Sequence, residues 1–507
     1  MTPTLPQCHP FIARLAQRLC VARRMPWLLL ALAAVAGAAP AQEDTRRLLE
    51  QGAREQTLAR EQQLLEQADA DGRPTLTLDG TTYRIEHNAN DVGQALYLML
   101  QHRQWAMARR FLDEYNTLPQ RDALLVHYAT ALLARQDGQH ARAVAELTAL
   151  LALKPDFLLA RLELARTLFE DQQDREAGQL FDAIAASLDE GDERSAGVRT
   201  TVATFQKALR NRRSWQGSAS MGPQWSDNIN RTTASRTCMV FLGGECVWLR
   251  QTPDPISAWA ADYDAVLSRR QPLAGHHGLY VRALAYGQSY RNAAAWNEAS
   301  LAVQAGYSYR SAAHMLSLAP SFDYYAWGNR ALYGAWGAHA EWSWLAARNA
   351  MFKVEADWKD LRYRNAVLAD NYDGANRALY ATWYQGIGKR WMLFGGVDIS
   401  DGDAPRQMDA WLQRGARVGA TLQWPQGFNA TAMASLRQRS YRAYNSLLAA
   451  RRQDDEQNYT LVIKATRWAL AGFTPVFTLR RNVVHSNVDW LYSHDRHAAS
   501  VKLERAF

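Results

Sequence analysis

The chain has 507 residues, 48% of them hydrophobic, and a formal net charge of +8. That length exceeds one ordinary domain, and no stretch beyond the N-terminus reaches the roughly 18 apolar residues of a membrane-spanning helix. Arg14, Arg18, Arg23 and Arg24 fall in a leader without acidic residues, and removing these four charges leaves +4, a balance that gives little reason to expect a nucleic-acid partner.

Residues 1–41 have the parts of a secretory signal peptide: a basic start, an apolar run from Trp27 to Gly37, and Ala39-Pro40-Ala41 as a small-x-small cleavage signature. Export to the periplasm follows. Cys8 and Cys20 precede the apolar run, so no lipid-attachment cysteine remains, and the mature chain keeps Cys238 and Cys246. Two cysteines eight apart near glycines fit one local disulfide in an oxidising compartment. A metal site would need further ligands beside them, and neither histidine nor a second cysteine pair is there. No cofactor is expected.

Residues 44–69 are rich in Glu, Gln, Arg, Leu and Ala and read as a solvated amphipathic helix. Leu76, Leu78, Tyr83 and Ile85 alternate across Asp79-Gly80, which suggests a small hairpin. From Asp91 to Leu188 the chain repeats itself. Ala131, Asp137, Ala143, Leu147 and Leu150 are matched 34 residues later by Ala165, Asp171, Ala177, Phe181 and Ile184, the period of a tetratricopeptide (TPR) repeat. Ala108 and Leu112 belong to an earlier unit one residue out of phase. A helical hairpin of this kind cannot bury its apolar stripe alone, so stacked units must share a core and leave a groove.

Near Asn211 the composition changes. Alternation replaces helical spacing, and nearly all of the 18 tryptophans lie beyond this point. Fourteen strands are expected, over residues 215–226, 256–267, 278–290, 297–309, 314–327, 332–343, 349–362, 378–388, 391–400, 411–422, 428–440, 455–468, 473–485 and 498–507. Several loops after odd-numbered strands are long, and the others are mostly tight turns, with residues 268–277 as a long exception. Long loops on one side, short turns on the other and an even count belong to a bacterial outer-membrane β-barrel. In the strand through residue 355, Phe352, Val354, Ala356 and Trp358 would meet lipid while Lys353, Glu355, Asp357 and Lys359 face inward. The last strand does the same, with Ala499, Val501, Leu503 and Phe507 outward and Ser500, Lys502 and Glu504 inward; Arg505 interrupts it at a place that is cheap only near headgroups. The expected fold is therefore an N-terminal α-helical TPR-like solenoid followed by a 14-stranded antiparallel outer-membrane β-barrel, with residues 1–41 as signal peptide, 42–210 as periplasmic helical domain and 211–507 as barrel.

No catalytic constellation is legible. His276, His277, His314, His339, His485, His494 and His497 are scattered, no phosphate-binding glycine loop is present, and an enzyme is not expected.

The segment GSASMGPQWSDNIN at residues 217–230 and the ending NVDWLYSHDRHAASVKLERAF at residues 487–507 resemble the Slam family, the surface lipoprotein assembly modulators. Asp227, Asn228, Ile229 and Asn230 form one family-like element, Asp489, Trp490, Leu491, Tyr492 and Ser493 the other, and Phe507 closes the barrel. Pro223 and Trp225 depart from the aromatic/Asn alternation common in the family's first strand. The resemblance implies outer-membrane translocation of a client surface lipoprotein or secreted protein, with the barrel in outer-membrane lipid, the solenoid handling the client, and periplasmic chaperones as further partners. The alternative is a passive outer-membrane channel or receptor for a small solute. Strand 498–507 is expected to pair with strand 215–226, and that seam is the first place to look for a lateral gate.

Overall fold

The computed structural model describes residues 42–58, 61–62, 88–188 and 195–507; the expected signal peptide and the hairpin at residues 76–85 lie outside them. Residues 42–58 form helix α1. Three helical hairpins follow: α2 (Ala89–Gln101) with α3 (Trp105–Thr117), α4 (Ala123–Gln136) with α5 (His140–Leu153), and α6 (Leu158–Glu170) with α7 (Asp174–Ala186), and α8 (Ala196–Arg213) leads into the sheet.

Each hairpin turns in the same way. Arg103, Gly138 and Gln172 adopt left-handed backbone, and the amide of the next residue, Gln104, Gln139 or Gln173, donates back to Met99, Ala134 or Leu168, satisfying carbonyls that the ending helix leaves open. The out-of-phase first unit thus has the same turn as the other two. Ala131, Ala143, Ala165 and Ala177 are fully buried where helices cross, beside Leu147, Leu150, Phe181 and Ile184, because only a small side chain allows the backbones to approach so closely. The shared core is continuous from Val92 to Leu209 in two adjoining clusters.

Sixteen strands follow, in chain order β1 (Gln216–Ser226), β2 (Arg236–Leu242), β3 (Glu245–Gln251), β4 (Ala258–Pro272), β5 (His277–Tyr290), β6 (Glu298–Arg310), β7 (His314–Trp327), β8 (Arg330–Ala347), β9 (Ala350–Tyr363), β10 (Gly374–Ile387), β11 (Trp391–Gly402), β12 (Trp411–Trp424), β13 (Phe428–Tyr441), β14 (Gln453–Ala465), β15 (Phe473–Ser486) and β16 (His494–Ala506). Fourteen close into an antiparallel barrel, with β1 between β16 and β4, while β2 and β3 pair as a separate hairpin within the first long loop. Alternation decides the faces. Leu279, Leu318, Trp336, Trp358, Val397, Val418, Leu479, Val501 and Leu503 are exposed around the outside, whereas Gln304, Lys353, Glu355, Asp398, Arg417, Arg437, Glu456, Ser500, Lys502 and Glu504 are buried inside. Arg505 sits over the Phe473 ring at 5.5 Å, where β15 starts.

The expected long turn at residues 268–277 is shorter than the sequence suggested. β4 runs on to Pro272 and β5 begins at His277, leaving four residues. On the outer side, β7 and β8 are joined by only Gly328-Asn329, both with positive φ, the two-residue turn whose twist suits a hairpin.

The larger correction concerns α1. The sequence suggested a solvated helix, but Asp44, Arg46 and Glu50 are buried, and no residue from 42 to 57 is fully exposed. Its partners are the inward-facing side chains of the barrel: Gln216 on β1, Tyr286 on β5, Glu341 on β8, Glu355 on β9, Arg437 on β13 and Glu504 on β16. Contacts from so many points of the circumference place α1 inside the lumen. Seventeen helical residues span about 25 Å, which is about the height of the apolar band of such a barrel.

Candidate functional site

Three regions carry the arrangement. The first is the lumen itself. Asp44, in the first turn of α1, accepts two hydrogen bonds from the Arg437 guanidinium at 2.6 and 2.8 Å and a third from Ser435 at 2.7 Å. Arg47 donates to Glu355 at 2.7 Å and stacks 3.4 Å over the Tyr380 ring. Arg54 donates to both carboxylate oxygens of Glu341, and Gln56 and Thr57 reach Glu504 and Gln216 at 2.6 and 3.0 Å. Because Gln216 starts β1 and Glu504 ends β16, the C-terminal end of α1 lies at the periplasmic rim, and Asp44 lies deeper. Two cavities of about 90 and 130 Å³ flank Gln42, each with room for water and not for a polypeptide. His339, Glu341 and Glu355 bring ligand atoms within 4.8 Å of one another; in this arrangement Arg47, Arg54 and Lys353 supply the neutralising charge.

The second region is the dock between solenoid and barrel. Arg212, near the end of α8, donates to Asp174 at 2.6 Å, to the Phe169 carbonyl at 3.1 Å, and to Glu61 at 2.5 Å. Arg270 on β4 reaches the other oxygen of Asp174 at 3.3 Å. In the turn after β4, His276 meets Asp171 at 2.9 Å and the Gly275 amide donates to Glu176. The last helical hairpin is therefore fastened to one periplasmic turn, and the same arginine holds the segment that continues from α1.

The third region closes the outer side of the seam, and it brings the two family-like elements together. Asp227 accepts from the His497 amide at 2.7 Å and contacts its ring at 2.8 Å. Asn228 donates to the carbonyls of Thr232 and Asp495, Ile229 is buried against Ala260 and Tyr290, and Asn230 bridges Asp254 and Ile256. On the other side Asp489 opens the short helix α9 (Asp489–Tyr492) and accepts from the Trp490 amide, and the Trp490 carbonyl accepts from Thr233 and Ser235. Leu491 is buried, Tyr492 lies 3.3 Å beneath the Arg452 guanidinium, and Ser493 accepts from the Ser486 amide. Cys238 and Cys246 form a disulfide across β2 and β3, Cα to Cα 5.9 Å. At the periplasmic end, Phe507 exchanges two backbone hydrogen bonds with Gly217.

The seam between these ends is thin. Eleven residues of β1 pair with β4, but seven pair with β16, and the ladder skips Gly222-Pro223. Proline has no amide to donate. A lumen-side tie backs the gap: Lys502 of β16 reaches across β1 to Asp264 of β4, which also accepts from Ser220.

Two family models match. One, described as surface lipoprotein assembly modifier, covers residues 215–507; the other, its N-terminal TPR repeats, covers residues 78–181. The chain belongs to the surface lipoprotein assembly modifier family. Among similar proteins, the hemophilin secretion modulator of Acinetobacter baumannii is 38% identical over 92% of this chain and 96% of its own. The surface lipoprotein assembly modifier of Moraxella catarrhalis is 25% identical over 83% and 81%, and surface lipoprotein assembly modifier 1 of Neisseria meningitidis serogroup B is 24% identical over 85% and 86%. The closed 14-stranded barrel and this membership place the protein in the bacterial outer membrane.

In this family member the two family-like elements lie together at the outer end of the seam, while the lumen partners of α1 and the Arg212 dock were not expected from the sequence. Arg47 and Arg54 stand two helical turns apart on one face, a spacing visible in the sequence. Nothing in the sequence says that Glu355 and Glu341 face them.

Proposed function

We propose that this protein moves a client protein from the periplasm across the outer membrane to the cell surface, with residues 42–210 as its periplasmic part, apart from α1, and residues 211–507 as the barrel. The observation that carries this reading is the match along both parts of the chain to relatives named for surface lipoprotein assembly and for hemophilin secretion. The higher identity to the hemophilin secretion modulator favours a client of the hemophilin kind over a surface lipoprotein. The TPR-like groove handles the client, and docking of α7 against the turn after β4 delivers it beside β1 and β4. Outer-membrane lipid surrounds the wall, and periplasmic chaperones bring the client to the groove. The role is mechanical and electrostatic and needs no catalytic group. A standing passive channel is disfavoured by α1, which fills the lumen.

Co-expression tests this. In a host that retains either client kind in the periplasm, the protein is expected to render one of them accessible to protease on intact cells, and deletion of residues 89–186 is expected to abolish that. Surface exposure unchanged by the deletion would remove the repeats from the pathway.

A further inference from the structure

The seat of α1 is built unlike a protein core. On the wall, Glu341 of β8 and Glu355 of β9 stand directly opposite each other in register, a like-charge pair that is unfavourable unless a cation lies between or above it. Lys353 lies 2.8 Å from Glu355 and 3.5 Å from Glu341, so it compensates one of the two carboxylates. Arg282 of β5 stands 3.5 Å from Glu341 and 3.7 Å from Glu50 of α1, so it is shared between wall and helix, and α1 supplies the close cations, Arg54 on Glu341 and Arg47 on Glu355. Across the lumen the sign is reversed, and Arg437 with Ser435 receives Asp44. The wall therefore carries the complement of one helix: an acid at the start, then two arginines seven residues apart.

An interface made this way is specific and also separable. When charged partners part, water solvates both, whereas an apolar interface would leave its area exposed. With the leader removed after Ala41, as the sequence leads one to expect, the deep end of α1 would be the end of the mature chain and could withdraw without dragging further chain through the barrel. Its other end is held at the rim, where Glu61 meets Arg212 of α8.

We propose that the barrel wall is a binding site for a basic-acidic peptide helix, and that α1 is its resident ligand, a removable stopper. The stopper is tethered to the solenoid through Glu61 and Arg212, so displacement of α8 by a client frees it. This goes beyond the translocation reading; only the release by a client rests on it.

Conductance across planar bilayers, with no client present, tests the stopper. The full chain is expected to be nearly silent. Deleting residues 42–58 is expected to raise the mean current at least tenfold, and a synthetic peptide of residues 42–62 added on the solenoid side is expected to silence it again. The same peptide with Arg47→Glu and Arg54→Glu should fail on the native wall and succeed on a wall carrying Glu341→Arg and Glu355→Arg. If the deletion impairs assembly, judged by heat-modifiable gel mobility, the chain with Arg47→Glu and Arg54→Glu keeps its full length and must conduct. Equal conductance of the full and altered chains, or closure by either peptide regardless of charge, would overturn the proposal. Neither result bears on client export, which is read separately on cells.

Discussion

Gly222→Val is expected to prevent assembly of the barrel. Gly222 lies where β1 meets β16, and a Cβ there would collide with the carbonyl oxygen of Val501 and the Cα of Lys502. Both are backbone atoms of the partner strand, so no rotamer relieves the overlap. The β1–β16 ladder is already interrupted at Gly222-Pro223, and the remaining pairs on either side of the gap would have to separate. Closure matters more here than in a soluble sheet, because an open edge in hydrocarbon leaves amides and carbonyls unpaired at several kcal/mol each. The expected result is loss of the heat-modifiable species and of outer-membrane protein by at least tenfold. Ala219→Val, in the same strand with its side chain outward, is the control and is expected to assemble. Normal assembly of the Gly222 variant would mean that the seam is not closed as described.

Arg212→Glu is expected to loosen the end of the solenoid that faces the barrel, because it frees α8 from Asp174 and the Phe169 carbonyl and from Glu61, and Asp174 is the residue that Arg270 of β4 reaches. Burial alone would lower the pKa of this guanidinium, and its hydrogen bond to Glu61 and the charge of Asp174 more than reverse that, holding it above the ordinary arginine range. It is positive at every relevant pH. Reversing it places a third carboxylate beside Asp174 and Glu61 and removes the stacking on Phe169 at 3.8 Å. Breaking a buried pair of this sort costs about 3–5 kcal/mol, enough to shift the seating of α8 on α6 and α7 toward a released state by more than a hundredfold. Protease cleavage between α8 and β1, near residue 214, is expected to accelerate, and client export to fall at least tenfold with barrel abundance unchanged. Arg212→Lys keeps the charge without the planar fork and is expected to restore part of the docking. Unchanged cleavage and export would separate Arg212 from the function.

How much of this could be read from residues alone depends on where each side chain had to be placed. The wall was legible because alternation fixes a face at every second position: Lys353, Glu355, Lys502 and Glu504 were assigned inward from the pattern and are buried. The repeats were legible because small residues recur at crossings. The β2–β3 hairpin was not, although Gly243-Gly244, both with positive φ, marks its turn, because β3 is exposed along nearly all its length and carries no burial alternation. α1 was misjudged for a related reason. A helix rich in Arg, Glu and Gln has the same sequence whether its polar faces meet water or a polar wall, and only the ring of strands decides. The dock has no sequence signature either, since Arg212, Asp174 and Arg270 come from α8, α7 and β4. Pro223 was visible as a departure from the family's first strand, and its meaning, a missing donor toward β16, needed the register.

Reconstitution tests translocation most directly. The purified protein is inserted into liposomes and those with the solenoid outward are selected by its protease accessibility. A hemophilin-type client is then added outside. The account predicts that the client becomes protected from external protease in proportion to the number of inserted barrels, and that liposomes carrying the chain without residues 89–186 protect none. Protection equal in the two preparations, or none with the full chain while the barrel is demonstrably folded, would contradict it.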